Sequence, residues 1–326
     1  MAAHRRPSPW RERQATLGGH SLLVVDRFLP QERLHLFNTE AFFRLHEGGN
    51  GHYFQWSVNG NACITAHFTQ VSPAVFRSPA RGTFGALSHL PGVTLKDLQV
   101  FISEIVAYLR ERGGKLLQVL LPPLQHDPAD ISRQYFLFRA NGFTESLVDL
   151  NYGQRVDDQP FAEKINSAKR QRLNKCRREG FEVSAVPAER ISDVYDVITE
   201  NRAARGYPMT MGQESLRQMQ KLFPDAVQLY LCEHQGRIAA AAICLRLSQN
   251  VLYAFYWGDR PGYKQFSPVV LIAEYLYQSC QIAGIDLLDG GTGTLDLQPN
   301  SGLIDFKREL GFSESLKFRL EKRLEP

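Results

Sequence analysis

The chain has 326 residues, of which 43% are hydrophobic and 22% are charged, and its formal net charge is +4. This composition is typical of globular proteins and argues against general disorder, while the mild positive charge permits nucleic acid or phosphorylated partners without requiring them. The five cysteines are odd in number and form no CxxC pair, and no HxxxH or HxxE spacing occurs, so we expect reduced thiols, no metal and a cytoplasmic protein.

The first residues, MAAHRRPSPWRERQ, are basic and polar, so residues 1–18 are predicted to be a flexible tail without a signal peptide. No apolar run is long enough to predict a membrane span. Strand-like and helix-like patterns then interleave through the N-terminal half, residues 19–155. The predicted strands are 21–25, 52–58, 62–69, 74–77, 116–121 and 147–152, and the predicted helices are 31–45, 94–112 and 127–141. Asn59, Gly60 and Asn61 predict a hairpin turn.

The C-terminal half, residues 156–326, begins with a basic segment, 159–180, that predicts a linking helix. The element order then resembles that of the first half. The predicted strands are 181–186, 227–233, 237–247, 251–257, 285–288 and 315–322, and the predicted helices are 188–204, 213–222, 267–283 and 303–310. Ser267 and Pro268 form the start signal of the helix over 267–283.

An internal repeat supports the parallel between the halves. The segment RANGFTESL at 139–147 aligns with RELGFSESL at 308–316, and seven of the nine positions are identical or exchange Thr for Ser. Each copy follows a similar helix and strand, so the two halves are predicted to have arisen by duplication rather than to match by coincidence.

Motifs in the second half carry a resemblance to a known family. The segment RPGYKQFSP ends in Ser267 and Pro268, DGGT follows at 289–292, and FKRELG at 306–311 contains Lys307. In element order and in these motifs the chain resembles the GNAT acyltransferases, and within them the Fem-type and BioF-like subgroup, which pairs two GNAT-like halves. The resemblance implies an α/β (α+β) fold of tandem mixed sheets flanked by helices. The Gly-rich phosphate signature that most GNAT domains carry is absent.

Direct acyl transfer to an amine requires a polarised carbonyl, a deprotonated amine and a stabilised leaving group. In GNAT domains, backbone N–H groups polarise the carbonyl where two central strands part, and the resemblance places this point near Tyr256, Trp257 and Gly258 and near Asp289. An acyl-CoA diphosphate would then bind free N–H groups at the start of the helix at Ser267, where the helix dipole favours an anion. Gly262 and Lys264 would assist this binding. The alternative is that Ser267 is only a helix cap and Gly262 only a turn residue.

The resemblance makes Lys307 the first candidate for catalysis, facing the cleft, with a solvated helix lysine as the alternative. Asp289 and Asp259 are candidate bases or amine-binding groups at strand ends, although each is more often a turn residue. Tyr256, Trp257 and Tyr263 would line the site or protonate a leaving thiolate, and otherwise they are packing residues.

Substrate-binding candidates are spread over both halves. Arg170 and Arg177 of the basic helix would bind tRNA or a diphosphate, unless this helix face is simply solvated. No aromatic residues are interleaved with these charges, so base stacking and DNA binding are not indicated. Arg77 and Arg81 in the first half and Asn300 in the second complete the predicted set. The loop over 79–93 is long and poor in phosphate-binding features, so no donor site is predicted in the first half.

Three functions follow from these expectations. The first is a coenzyme A-dependent N-acyltransferase acting on a small-molecule or cell-envelope amine. The second is a Fem-type aminoacyl-tRNA-dependent transferase acting on a peptidoglycan precursor. The third is a catalytically silent GNAT-like binding protein, which a blocked helix start at Ser267 would favour.

Overall fold

The computed structural model describes residues 14–17, 20–24, 29, 34–58, 61–295 and 297–324. The strands are β1 Gln14–Leu17, β2 His20–Val24, β3 Gly51–Val58, β4 Asn61–Ser72, β5 Val75–Ser78, β6 Ser88–His89, β7 Leu116–Leu120, β8 Thr144–Arg155, β9 Glu182–Val186, β10 Val227–His234, β11 Arg237–Arg246, β12 Val251–Asp259, β13 Leu287–Thr292, β14 Thr294–Leu295, β15 Gln298–Pro299 and β16 Ser313–Arg323. The helices are α1 Glu40–His46, α2 Leu95–Glu111, α3 Pro128–Ala140, α4 Phe161–Lys164, α5 Ser167–Arg178, α6 Ile191–Ala203, α7 Gln213–Leu222, α8 Val269–Ala283 and α9 Ser301–Glu309. The fold is α/β, with mixed sheets flanked by helices.

The chain divides into two compact units. Unit 1 comprises Met1–Val148 together with Leu316–Pro326, and unit 2 comprises Asp149–Ser315. The sequence placed the boundary after residue 155 and assigned the C-terminal end to the second half. The chain passes from unit 1 to unit 2 within β8 and returns to unit 1 within β16.

In unit 1, the strands pair in the order β1, β2, β3, β4, β5, β7 and β16. The β5–β7 pair is parallel and the others are antiparallel. The crossover between β5 and β7 contains α2, which begins at a capping box formed by Thr94 and Asp97. Leu98 and Phe101 on the buried face of α2 pack in one apolar core with Leu117 of β7 and Leu320 of β16. The hydrophobic pattern of α2 therefore determines which face covers the sheet.

In unit 2, the strands pair in the order β9, β10, β11, β12, β13 and β8. The β12–β13 pair is parallel, and the other pairs between β8 and β13 or among β9 to β12 are antiparallel. The crossover between β12 and β13 is α8, which is apolar on most sides and ends at Gly284 in the left-handed conformation. Its side chains Val270, Ile272 and Leu276 lie in the core of this unit.

The last strand of each predicted half contributes residues to both units. Residues 151–155 of β8 pair with β13 in unit 2, and Arg319–Arg323 of β16 pairs with β7 in unit 1. Both strands follow copies of the same repeat, so their local patterns are alike. The choice of partner was therefore not encoded near either strand.

Several smaller predictions also differ from the structure. Most of the predicted tail lies outside the described residues, but Gln14–Leu17 forms a strand. The predicted helix over 31–45 is, from residue 36, a short 3-10 turn followed by α1, because the Thr39 side chain accepts the Phe42 N–H and starts a new helix there. The predicted basic helix is likewise two helices, and Asn166 caps the second. Two residues of the predicted hairpin turn, 59 and 60, lie outside the described part of the chain.

Candidate active site

The two parallel strands at the centre of unit 2 part after a short paired stretch. Val251–Tyr253 of β12 pairs with Leu287–Asp289 of β13, whereas β12 continues to Asp259 and β13 to Thr292. We call this opening the β12–β13 split. Successive backbone groups of a strand point to alternate sides, so N–H and C=O groups of β12 beyond Tyr253 face the split without a partner in β13. The resemblance placed the parting of the strands near Tyr256 and Asp289, and the observed pairing ends at Tyr253 and Asp289.

Irregularities on both strands accompany the split. Ile243 of β11 pairs with Tyr256 and Cys244 pairs with Ala254, so Phe255 of β12 has no opposite residue. On β13, Asp289 pairs with Gly153 of β8 and Gly291 with Tyr152, which leaves Gly290 unopposed. Such bulges bend a strand and change the direction of its side chains. Both bulges begin within two residues of the last β12–β13 pair.

Asp289 and Lys307 belong to a buried polar cluster beside the split. The Asp289 carboxylate Oδ1 accepts hydrogen bonds from Asn151 Nδ2 and from the Gly291 N–H, both at 2.8 Å. Lys307 Nζ donates to Gly291 O at 2.9 Å and to Thr292 O at 2.7 Å. Burial lowers the pKa of Lys307 to about 7, although the nearby Asp289 charge raises it.

This burial corrects the expectation that Lys307 faces a cleft. Lys307 is 1% exposed and Asp289 is 0% exposed, so neither is a solvated residue and neither presents its charged group openly. The anchoring of two main-chain carbonyls by a buried ammonium is a structural role in the state described here. Any effect of Lys307 on the reaction would act through the backbone of β13.

The start of α8 also differs from the prediction. The Val269 N–H donates to the Asp259 carboxylate Oδ1 at 2.5 Å, and the Val270 N–H donates to Ser267 O at 2.9 Å. Asp259 is buried, and burial raises its pKa to about 7. The free N–H groups expected to hold a diphosphate are therefore occupied, and Asp259 serves as a cap for α8. The backbone of Asp259 is fixed as well, because Asn201 Nδ2 donates to the Asp259 main-chain oxygen at 2.6 Å.

The remaining residues predicted to bind a cofactor fall into two groups: Trp257, Gly258 and Tyr263 pack against neighbouring side chains, and Gly262 and Lys264 are exposed to solvent. Trp257 packs against Phe306 and Phe312, with ring centroids 5.8 and 5.9 Å apart. Tyr263 meets the Phe181 ring edge-on. Gly258 lies against Asn201, whose side chain is 2.5 Å from the position a Cβ would take. Gly262 and Lys264 are exposed, and Ser267 has a left-handed φ of 56° where the chain enters α8.

Tyr256 and Asn300 both contact the segment between α6 and α7. The Tyr256 hydroxyl forms a hydrogen bond with Thr210 Oγ1, and the Arg202 guanidinium lies 5.2 Å from the Tyr256 ring centroid. Asn300 Nδ2 donates to the Tyr207 hydroxyl at 2.8 Å, while its Oδ1 caps α9. The structure therefore connects these two predicted residues through one loop.

The basic helix α5 is engaged within unit 2. Both carboxylate oxygens of Glu274, which is 6% exposed, accept from Arg177 Nη2 at 2.7 and 2.8 Å. Arg170 Nη1 donates to Ala162 O at 3.2 Å, and Lys169 pairs with Glu309 at 3.1 Å. The cations predicted to grip tRNA or a diphosphate thus secure the helix to its own unit.

Arg77 and Arg81 belong to unit 1, whereas the residues described above belong to unit 2. Arg77 Nη2 donates to Ala80 O at 2.6 Å, and burial lowers the pKa of its guanidinium. The equivalent position in unit 1, beyond the parallel β5–β7 pair, is closed by main chain. The Gly85 N–H donates to Leu120 O at 2.8 Å, and the Gln134 side chain bonds both the N–H and the carbonyl of Leu87. Main chain and the Gln134 side chain therefore occupy this part of unit 1, and the absence of a donor site there stays a prediction.

Sequence analysis missed Asn151, Tyr152 and Asn201. Asn151 and Tyr152 lie on β8, and both are almost fully buried beside Asp289 and Lys307. The available signal was a run of polar residues, NYGQ, at the end of a predicted strand. Its meaning depends on the pairing of β8 with β13, which sequence analysis did not predict.

Neither a metal site nor a membrane-spanning helix is found in the described part of the chain. Among these residues, no group of three or more His, Cys, Asp or Glu side chains could hold a metal ion. No described helix has the length and apolar character that crossing a membrane requires. All five cysteines are buried free thiols.

Comparison with known proteins identifies the fold. Residues 166–308 match the family model of the acetyltransferase (GNAT) domain, and no curated protein matches the chain by sequence. The chain is similar to FemX, with a TM-score of 0.67 and 10% identity over 89% of this chain and 92% of that chain. It is similar to the C-terminal domain of a proposed lysylphosphatidylglycerol synthetase from Agrobacterium fabrum, with a TM-score of 0.58 and 12% identity over 90% and 89%. It is also similar to a tandem GNAT protein from the clavulanic acid biosynthesis pathway, with a TM-score of 0.50 and 12% identity over 85% and 83%.

Residues 166–308 therefore form a GNAT-type acetyltransferase domain, and the chain as a whole has a fold of two GNAT-like halves. This fold is shared with FemX over most of both chains, as the Fem-type motifs predicted. The GNAT domain match falls inside unit 2 and includes β12, α8 and β13.

Proposed function

We propose that unit 2 catalyses transfer of an acyl group from an activated thioester or ester to an amine by direct attack in the β12–β13 split. The observation that carries this proposal is the loss of pairing beyond Tyr253 and Asp289 while both strands continue. Backbone N–H groups fixed at such a split can polarise an acyl carbonyl without reorganising during the reaction. The acceptor is a small-molecule or cell-envelope amine.

The proposed proton donor to the leaving group is Tyr256. Its side chain follows the bulge at Phe255, and its hydroxyl is already oriented by Thr210. Arg202, over the ring, places a positive charge beside the phenol. A positioned phenol of this kind contributes to acyl transfer by giving a proton to the departing thiolate or alkoxide. Asp289 and Lys307 take no direct part and instead maintain the backbone of β13.

The first candidate donor is acyl-CoA, which the GNAT fold typically uses. Its diphosphate has no free N–H group at the start of α8, because Asp259 occupies the Val269 N–H. A negatively charged ligand at that point would also be repelled by an ionised Asp259. An acyl-CoA would therefore have to bind through its acyl and pantetheine parts, or displace Asp259.

The occupied helix start, which counts towards a silent binding protein, also fits a second candidate, transfer of an aminoacyl group to a cell-envelope amine. One similar structure is described as part of a lysylphosphatidylglycerol synthetase, and a donor of that type need not place a diphosphate on α8. The engagement of Arg170 and Arg177 within unit 2 gives no support to tRNA binding by α5. The silent binding protein is the less economical alternative, since the split is retained.

Ligand-dependent thermal melting of the full chain separates these donors, because a ligand that binds only the folded state raises the midpoint. We expect acetyl-CoA or a longer acyl-CoA to raise it, and release of free CoA thiol to accompany transfer to an amine panel. A salt-sensitive shift with bulk tRNA and none with any CoA would replace the first donor with the second. Absence of transfer from thioester and aminoacyl ester donors alike would refute the proposed activity.

Tyr256→Phe tests the assignment of the proton donor. We expect a fall in kcat of about 100-fold, within the usual range for losing a positioned general acid, with an unchanged melting temperature. Tyr230→Phe is the matched control, since its hydroxyl bonds Gln228 on β10 and should leave kcat unchanged. Equal kcat values for both variants would remove Tyr256 from the mechanism.

A further inference from the structure

Asn151 is a buried polar residue contributed to unit 2 by β8. It lies opposite Thr292 of β13 and is 1% exposed. Its side-chain Nδ2 donates to Asp289 Oδ1 at 2.8 Å. A buried carboxylate needs such donors, because an uncompensated charge away from water is strongly unfavourable.

The same Asp289 oxygen spans the bulge of β13. Oδ1 also accepts the Gly291 N–H at 2.8 Å, so it joins the residues on either side of Gly290. A Cβ at Gly290 would lie 2.8 Å from the Phe312 ring, and Gly291 has a φ of 77°. The bulge is therefore specified by two glycines and held in place by one carboxylate.

Lys307 holds the bulge from its other side. Its Nζ binds Gly291 O and Thr292 O, so the N–H of Gly291 is fixed by Asp289 and its carbonyl by Lys307. Pairing of β13 with β12 ends at Asp289, the residue that begins the bulge. The direction of β13 beyond the split thus depends on this set of hydrogen bonds.

We infer that Asn151 is a positioning residue for acyl transfer, acting through Asp289 on the bulge at Gly290 and hence on the width of the β12–β13 split. The inference rests on the proposed function of the split. Asn151 does not touch the reacting atoms. Its amide keeps the Asp289 carboxylate turned towards Gly291, and a small displacement of a strand that borders the reacting groups is enough to slow a reaction that depends on their alignment.

The test compares Asn151→Ala with Gln154→Ala in the full chain. Gln154 is a matched control, since it is 2% exposed on the same strand but makes no hydrogen bond to Asp289 in the structure. We expect Asn151→Ala to lower kcat about tenfold with KM within twofold, because alignment is expressed in the transition state. Gln154→Ala should leave kcat within twofold even where its melting temperature falls. Equal kcat values in the two variants would overturn the inference.

A charged variant adds a second test. Asn151→Asp sets two carboxylates face to face, and we expect it to lose more activity than Asn151→Ala. A kcat of Asn151→Asp at or above that of Asn151→Ala would contradict a positioning role for the hydrogen bond.

Hydrogen exchange keeps the inference decidable if the proposed activity fails. Should the wild-type chain transfer no acyl group from any donor, the proposed function is refuted separately. Asn151→Ala must then still speed amide exchange in peptides covering 287–293 more than in those covering 227–234, and more than Gln154→Ala does. Uniform exchange across the two peptides would overturn control of the bulge by Asn151.

Discussion

Burial moves the pKa values of Asp259 and Lys307 in opposite directions. It raises the pKa of Asp259 to about 7 and lowers the pKa of Lys307 to about 7. In each case the low-dielectric surroundings disfavour the charged form. The Val269 N–H opposes the first shift by bonding the carboxylate, and Asp289 opposes the second by attracting the ammonium.

These shifts predict a characteristic pH dependence of stability. Between about pH 4 and 7 the unfolded chain is ionised at residue 259 while the native Asp259 holds its proton, so this residue makes the free energy of unfolding fall as pH rises. Between about pH 7 and 10 the unfolded chain is protonated at residue 307 while native Lys307 is neutral, so this residue makes it rise again. Each effect is on the order of 4 kcal/mol.

Urea unfolding across pH measures both contributions. Relative to wild type, Asp259→Asn should remove the fall in the free energy of unfolding below pH 7. Lys307→Met should remove the rise in the free energy of unfolding above pH 7. An Asn at 259 can still accept the Val269 N–H, so the α8 cap is retained. Parallel stability curves for a variant and the wild-type chain would show that the substituted residue keeps its ordinary pKa.

The space around Gly290 and Gly262 predicts opposite effects of substitution by alanine on stability. Gly290→Ala would place a Cβ 2.8 Å from the Phe312 ring, and we expect a loss of about 1–3 kcal/mol from overpacking. Nothing lies within 4 Å of the position at Gly262, so Gly262→Ala should be neutral within about 0.5 kcal/mol. Urea midpoints of the two variants decide this, and equal midpoints would contradict the close packing at the bulge.

At the scale of secondary structure, α5 shows how a basic helix can be structural. Its apolar positions Leu173 and Cys176 are buried in the core of unit 2, and its cations bind neighbouring groups. Lys175 lies 4.5 Å from the Phe266 ring centroid, and Arg172 donates to the Gln265 carbonyl. The helix therefore supports the segment that leads into α8, and its charge pattern alone did not reveal this.

Arg177→Met should destabilise the chain through Glu274. The substitution leaves a carboxylate that is 6% exposed without its cation, and because Arg177 itself is half exposed we expect a loss of about 1–3 kcal/mol. Arg178→Met, at the exposed neighbouring position, should change stability by less than about 0.5 kcal/mol. Denaturant titration of both variants measures the free energy of unfolding. If Arg177→Met leaves the free energy of unfolding unchanged, the ion pair with Glu274 does not stabilise the fold.

At the scale of the whole molecule, the two units differ in continuity. Unit 1 is completed by β16 from the C-terminal end of the chain, whereas unit 2 is one continuous segment that begins within β8. Leu320 and Leu310 are only ten residues apart and both are 0% exposed, but they lie in the cores of different units.

The return of β16 to unit 1 predicts that neighbouring core substitutions act on different units. Leu320→Ala and Leu310→Ala should each cost about 2–5 kcal/mol, as large-to-small core changes do. Hydrogen exchange should show Leu320→Ala loosening β5 and β7, and Leu310→Ala loosening β12 and β13. The pairing described for β16 would be contradicted if Leu320→Ala loosened β12 and β13 most.

Much of the fold was predictable because its signals are local. The Thr94 capping box, the hydrophobic spacing of α2 and α8, and the glycine at the end of α8 each depend on a few adjacent residues. The expected position of the split came from the resemblance to GNAT domains rather than from a local signal on β12. The burial of Lys307 was not predictable, because a lysine on an amphipathic helix is usually solvated and its carbonyl partners lie on a distant bulge.

The sequence by itself determined the order of most elements, since hydrophobic periodicity, caps and motifs are written within short segments. Only the tertiary structure decided that β16 returns to unit 1, that Asp259 occupies the start of α8 and that Asn151 meets Asp289. These outcomes depend on contacts between residues far apart in the chain. Two strands with similar local patterns can be distinguished only by the long-range packing that assembles around them.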